Sequence, residues 1–167
     1  MFPEPHFVEA NGLRLAVYEQ GQGPAVIFLH GFPELAFSWR HQLPALAGAG
    51  FRAIAPDQRG YGRTTVPPNV SDYRMSELIA DVHGLLDALD LESATFVGHD
   101  WGALLLWDLA RLHPDRVRGL VNVSVPYNPW PAPTTAGMPS SRATMADVVV
   151  WSTNTAPGLV RRRPSTG

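Results

Sequence analysis

Cysteine is absent from these 167 residues, and lysine is absent too: every one of the 13 Lys+Arg positions is arginine. The first absence excludes disulfides, thiol catalysis and cysteine-based metal centres, and it permits a reducing compartment. The second, beside abundant Ala, Gly and Pro, suggests a GC-rich coding sequence. Charge is also scarce, at 17% of residues with a net charge of −2, which argues against the basic stripe of a nucleic-acid binder. No apolar run approaches the roughly 20 residues that span a bilayer. The start, Met1-Phe2-Pro3-Glu4-Pro5, lacks the basic-then-apolar order of a signal peptide. A cytoplasmic protein with no nucleic-acid or membrane partner is expected. No cluster of His, Asp and Glu has metal-ligand spacing, and neither a metal nor a cofactor is expected. Histidine thins out along the chain, and the last of six is His113.

With 45% hydrophobic residues the chain has enough apolar material for one domain with a core. Apolar-alternating runs at Phe7 to Ala10 and Leu13 to Glu19 flank Asn11-Gly12, a hairpin signal. Ala25 to Leu29 and Arg52 to Ala55 read as continuous apolar strands buried on both faces. Phe37 to Ala49 reads as a helix. Between Tyr73 and Leu89 the apolar residues Met75, Leu78, Ile79, Val82, Leu85, Leu86 and Leu89 recur with a period near 3.6, which predicts an amphipathic helix. A strand over Ala94 to Val97, a helix from Gly102 to His113 ended by Pro114, and a strand near Val117 to Val123 follow. Strands alternating with helices predict a mostly parallel sheet covered on both faces. His30, Asp57 and Asp100 each follow a strand, so all three should meet at the carboxyl rim.

Gly98-His99-Asp100-Trp101-Gly102 is the stretch that bears most directly on chemistry. It has the form Gly-x-nucleophile-x-Gly between a predicted strand and a predicted helix, the setting of a nucleophile elbow. Such a turn strains its central residue and needs small neighbours. An aspartate there can attack a substrate and form an ester. His30 is expected to be a hydrogen-bonded loop residue, and His99 to point away from Asp100 and pack. Asp57 and Arg59 are expected to form an internal salt bridge that scaffolds their loop. Phe32 and Trp101 also read as core aromatics.

Four segments together resemble the α/β-hydrolase superfamily, specifically its epoxide hydrolases: His30-Gly31-Phe32-Pro33, Asp57-Gln58-Arg59-Gly60-Tyr61-Gly62, the stretch around Asp100, and Val125-Pro126-Tyr127. The resemblance spans about residues 6 to 131 and implies an α/β-hydrolase fold truncated after about the sixth strand. By that resemblance Asp100 is the nucleophile that opens an epoxide, and the backbone N–H groups of Phe32 and Trp101 form an oxyanion hole for ester hydrolysis. Pro33 could follow a cis bond as in the family. The partner implied is a small, apolar, epoxide-like molecule; oligomeric state is not indicated. The family's cap tyrosines, catalytic acid and later histidine are not recognisable here, which predicts little or no turnover. Haloalkane dehalogenase-like chemistry is the alternative, but Phe32 stands where many of those enzymes place Asn. Fluoroacetate dehalogenases place Arg where Trp101 stands. A non-catalytic small-molecule or partner-binding protein is a further alternative.

From Tyr127 the composition shifts. Residues 1–133 read as the N-terminal part of the hydrolase core, and residues 134–167 as a divergent, weakly ordered tail rich in Ser, Thr, Pro, Gly and Arg. Arg161-Arg162-Arg163 is read as a solvated run. Out-of-frame translation of GC-rich DNA would give this composition, so a truncated or frameshifted form is expected.

Overall fold

The computed structural model describes residues 2–125 and 150–152, the last three as backbone. The hairpin forms as predicted: β1 (His6–Ala10) pairs antiparallel with β2 (Leu13–Gln20). Asn11 and Gly12 turn the chain at φ 48° and 71°, the two positive values that a two-residue type I′ turn needs. Next come β3 (Ala25–Leu29), α1 (Gln42–Gly48), β4 (Arg52–Pro56), α2 (Met75–Ala88), β5 (Ala94–His99), α3 (Trp101–Leu112) and β6 (Val117–Val123). A short β7 (Val150–Ser152) runs parallel to β6. It lies in the segment expected to be a tail, within that segment's longest apolar run. The rest of that segment and the predicted boundary at 133/134 fall outside the described residues.

The seven strands lie in the order β1-β2-β4-β3-β5-β6-β7. The β1/β2 and β2/β4 pairs are antiparallel, and the others are parallel. The chain moves from β3 out to β4 through α1, then returns across β3 to β5 through α2. Alpha-helix α1 packs against β4 and β2, whereas α2 packs against β1 and α3 against β5 and β6. The connections from β3 therefore diverge over opposite faces, and the carboxyl ends of β3 and β5 flank a crevice. Open parallel sheets bind their ligands at such a reversal of strand order.

Apolar strand residues divide by alternation between two cores. One side joins Leu15, Ile27, Leu29, Phe96 and Leu120 to Leu85 and Leu86 of α2 and Leu105, Leu106 and Leu109 of α3. The other joins Val26, Phe28, Ala53 and Ala55 to Ala36, Trp39 and Leu43. On that second side Thr95, Val97, Gly119, Val121 and Val123 are half-buried.

One predicted helix is divided. In place of a single helix over Phe37 to Ala49, a one-turn helix spans Ala36–Trp39 and α1 begins at Gln42. Pro44 accounts for the break. In a continuous helix its missing N–H and its ring would oppose the carbonyl of Arg40, whereas in the first turn of a new helix proline is tolerated.

Candidate active site

Asp100 stands between β5 and α3 at φ 52° and ψ −115°. A non-glycine residue at such angles is held there by its surroundings, at a cost of roughly 1–3 kcal/mol. The surroundings are visible. A Cβ on Gly102 would collide with the carbonyl of Leu29, so the first turn of α3 can lie on the end of β3 only with glycine at that position. Register does the rest: Leu29 lies opposite Gly98 in the parallel β3/β5 pair, which brings the loop after β3 beside the corner after β5.

The Phe32 N–H donates to Asp100 Oδ1 at 2.9 Å, across 68 residues of sequence. Gly31 packs against Asp100, and a Cβ there would sit 2.5 Å from Asp100 Cβ. The Asp100 carboxyl is held below the usual aspartate range. The Phe32 N–H is the largest cause; burial opposes it, and the Trp101 N–H and the nearby His99 add to the lowering. The site therefore presents an ionised carboxylate at neutral pH, with one oxygen against a backbone donor and the start of a helix behind it. Peptide bond Phe32-Pro33 is cis.

Phe32 and Trp101 are not core residues. They are 63% and 53% exposed respectively, because both sit at the carboxyl rim where strands end. Their backbone N–H groups face inward to Asp100, and their side chains form an apolar margin around it.

His30 is fully buried at the end of β3. Its Nε2 faces the Gln58 N–H at 3.0 Å and must accept, so Nδ1 carries the proton and donates to the Gly31 carbonyl at 2.9 Å. Burial lowers its pKa, opposed by the Gly31 carbonyl and the charges of Asp57 and Glu34. His30 is thus a neutral brace between two loops, as its place in the sequence suggested, with both ring nitrogens committed.

Two expectations change in detail. Asp57 and Arg59 do not pair with each other. Asp57 accepts from the Ala36 N–H at 3.0 Å, the Arg63 N–H at 3.1 Å and the Tyr18 hydroxyl at 3.3 Å, stapling its own loop to the turn after β3. Arg59 turns toward α2 and grips Asp81 with two bonds of 2.7 Å. Asn11 of the hairpin turn donates to the same carboxylate at 2.9 Å. Side chains two apart in this tight loop leave in different directions, so each takes a distant partner.

His99 does more than pack. Its Nδ1 meets Glu34 Oε1 at 3.1 Å. Glu34 Oε2 also accepts the Gly31 N–H at 3.1 Å. Burial raises the Glu34 pKa, but the Gly31 N–H and His99 outweigh it, and the net shift is downward. Glu34 was missed in the sequence. The available signal was its position: it follows the loop after β3, and His99 ends the neighbouring β5.

Among the described residues no group of three or more His, Asp and Glu side chains could hold a metal ion, and no helix is long and apolar enough to cross a membrane.

Known proteins with this arrangement are numerous. The alpha/beta hydrolase fold family matches residues 24–149. The chain is 51% identical over 129 residues to epoxide hydrolase A of Mycobacterium tuberculosis, which covers 76% of this chain and 40% of that protein. It is 58% identical over 106 residues to epoxide hydrolase B of the same organism, covering 64% of this chain and 30% of that one. The crystal structure of an epoxide hydrolase from Vigna radiata superposes with a TM-score of 0.74 at 47% identity, over 75% of this chain and 41% of that one. Epoxide hydrolase A of Mycobacterium thermoresistibile gives 0.72 at 52% identity, over 74% and 40%. The chain thus spans 30–41% of the length of these relatives. With residues 24–149 matched by the family and about three quarters of its length superposing on solved epoxide hydrolases, the chain belongs to the alpha/beta hydrolase fold family and is related to its epoxide hydrolases.

Proposed function

We propose that this site opens an epoxide ring through a covalent aspartyl ester. An Asp100 carboxylate oxygen attacks a ring carbon, the carbon–oxygen bond of the ring breaks, and the freed alkoxide takes a proton from solvent water, leaving a hydroxide that the proton lost in the later water attack neutralises. Water then attacks the ester carbonyl. The resulting oxyanion rests on the N–H groups of Phe32 and Trp101, and collapse releases a vicinal diol and restores Asp100. One observation carries the reading: an ionised aspartate at a strained strand-to-helix corner, its oxygen 2.9 Å from the Phe32 N–H. In this reading the corner is a nucleophile elbow and the two N–H groups are an oxyanion hole. Serine would stand at position 100 in an esterase. An aspartate attacking an acyl group would give an anhydride, whereas attack on an epoxide gives a stable alkyl ester.

The substrate proposed is small, uncharged and apolar, because Phe32 and Trp101 form an apolar margin beside the carboxylate. A cytoplasmic site of action belongs to the same reading, supported by the lack of cysteine. The second half-reaction needs a base. His30 is locked between Gly31 and Gln58, and His99 is engaged by Glu34 on the other face of β5. A polypeptide of these 167 residues is therefore proposed to form the ester and release it slowly.

Incubation with styrene oxide followed by intact-mass and peptide mass spectrometry tests this. The expected result is one adduct, mapped to Asp100 and lost in Asp100→Asn, with little diol. No adduct at Asp100 would refute the nucleophile assignment. Sustained diol release would refute the claim that a water-activating base is lacking.

A further inference from the structure

Away from the rim, α2 carries His83 against His113, the residue that ends α3. Their rings meet edge to face with centroids 4.3 Å apart and planes at 77°. The Nε2 of His83 is buried and has no hydrogen-bond partner among the described residues. Both rings border a shallow hollow that also includes Asp87, one turn further along α2. Asp87 would be the natural counter-ion for a protonated His83, but it already accepts from Arg116 Nη2 at 2.7 Å. Arg116 belongs to the one-turn helix Pro114–Arg116 that follows α3, and Asp115 beside it is the other carboxylate within reach.

We propose that the His83–His113 contact is an acid-sensitive latch, which holds α2 to the far end of α3 while both rings are neutral and weakens when His83 takes a proton. A neutral pair packs well, since the edge of one ring meets the face of the other. Adding a proton to His83 buries a charge at a nitrogen with no acceptor, beside His113 and the Arg116 guanidinium. The pKa of His83 is accordingly lowered: burial is the main cause, followed by His113 and Arg116, with Asp87 and Asp115 opposing. The sign follows from linkage. Where the folded pKa of a base lies below the unfolded value, the unfolded chain binds more protons between the two. Stability is complete above the ordinary histidine value of about 6.5 and falls as pH drops below it. The latch is conformational, and Asp100 stands at the opposite end of α3, so it is independent of the epoxide chemistry.

Thermal unfolding of the full chain between pH 5 and 8 tests the latch, together with His83→Gln and His113→Gln. The parent should lose stability as pH falls below about 6.5, and His83→Gln should show a shallower slope, with the residual slope owed to buried His30. Imidazole titration by NMR gives the local reading. His83 should titrate below about 6.5, and its midpoint should rise toward that value in His113→Gln. This reading also decides the matter if His83→Gln does not fold. Three results would each overturn the proposal: an unchanged slope in His83→Gln, a His83 midpoint at or above the ordinary value, or a midpoint indifferent to His113→Gln.

Discussion

Gly31→Ala is the substitution that best separates site geometry from general stability. The added Cβ would lie 2.5 Å from Asp100 Cβ and 2.8 Å from Oδ1. Unbonded carbons prefer about 3.5–4.0 Å, so the two groups must part by roughly an ångström. The Phe32 N–H to Asp100 Oδ1 bond, now 2.9 Å, would then leave hydrogen-bond range. Bonds to charged groups contribute about 1.5–3 kcal/mol, so stability should fall by about that amount. Chemistry should suffer more, because displacing a reacting group by about 1 Å can slow it by about 10²-fold. The assay is the rate of mass gain at Asp100 under excess styrene oxide, with urea unfolding measured in parallel. Gly48→Ala is the control. A Cβ there meets nothing within 4 Å, at the end of α1. It should be neutral or stabilise by up to about 1 kcal/mol and leave labelling unchanged. Labelling of Gly31→Ala at the parent rate would refute the reasoning, and so would equal slowing in both variants.

Other consequences can be checked as directly. Gly102→Ala drives a methyl into the Leu29 carbonyl, which belongs to backbone and cannot swing aside; a loss on the order of 4 kcal/mol or more is expected, and a urea midpoint close to the parent's would contradict the close approach. Arg59→Met leaves the buried Asp81 carboxylate with Asn11 as its chief partner. It should cost about 3–5 kcal/mol in urea unfolding, and Arg59→Met with Asp81→Leu should cost less than the single change. Adduct formation at Asp100 should stay level as pH falls from 8 and decline only below the ordinary aspartate value of about 3.9, because the lowered pKa keeps the carboxylate ionised there. A midpoint above pH 5 for that labelling would show that the Phe32 and Trp101 donors do not govern the charge.

Much of this fold is written in local signals. Asn11-Gly12 specifies its turn because few other residues take two positive φ values in succession. The period of apolar residues from Met75 to Leu89 marks the helix that covers one face of the sheet. Other features depend on partners that no local signal names. The reading of one helix over Phe37 to Ala49 passed over Pro44, and whether that proline ends a helix or sits in the first turn of a second one depends on Trp39 and Leu43 both reaching the same core. Asp57 and Arg59 looked like a pair because they are close in sequence, whereas the fold gives one to Ala36, Arg63 and Tyr18 and the other to Asp81. Phe32 and Trp101 have the composition of core residues, but strand ends place them at the rim. Residue type argued for burial and position argued for exposure, and position decided.

The same reasoning explains why a half-site can be recognised here at all. The proposed nucleophile and its donors come from the loops after β3 and β5, and those strands are hydrogen-bonded neighbours. Their geometry is therefore set by the sheet register and by Gly31 and Gly102. Nothing in that set requires a cap or a distant loop. Water activation has a different demand, namely a base with a free lone pair facing the ester. Among the described residues His30 and His99 are committed to loop contacts, and His83 and His113 face each other at the far end of α3. Under the proposed reading, ester formation and ester hydrolysis separate structurally, the first resting on two adjacent strands and the second on a base that those strands do not carry. If labelling at Asp100 proceeds while diol fails to accumulate, that separation is chemical as well.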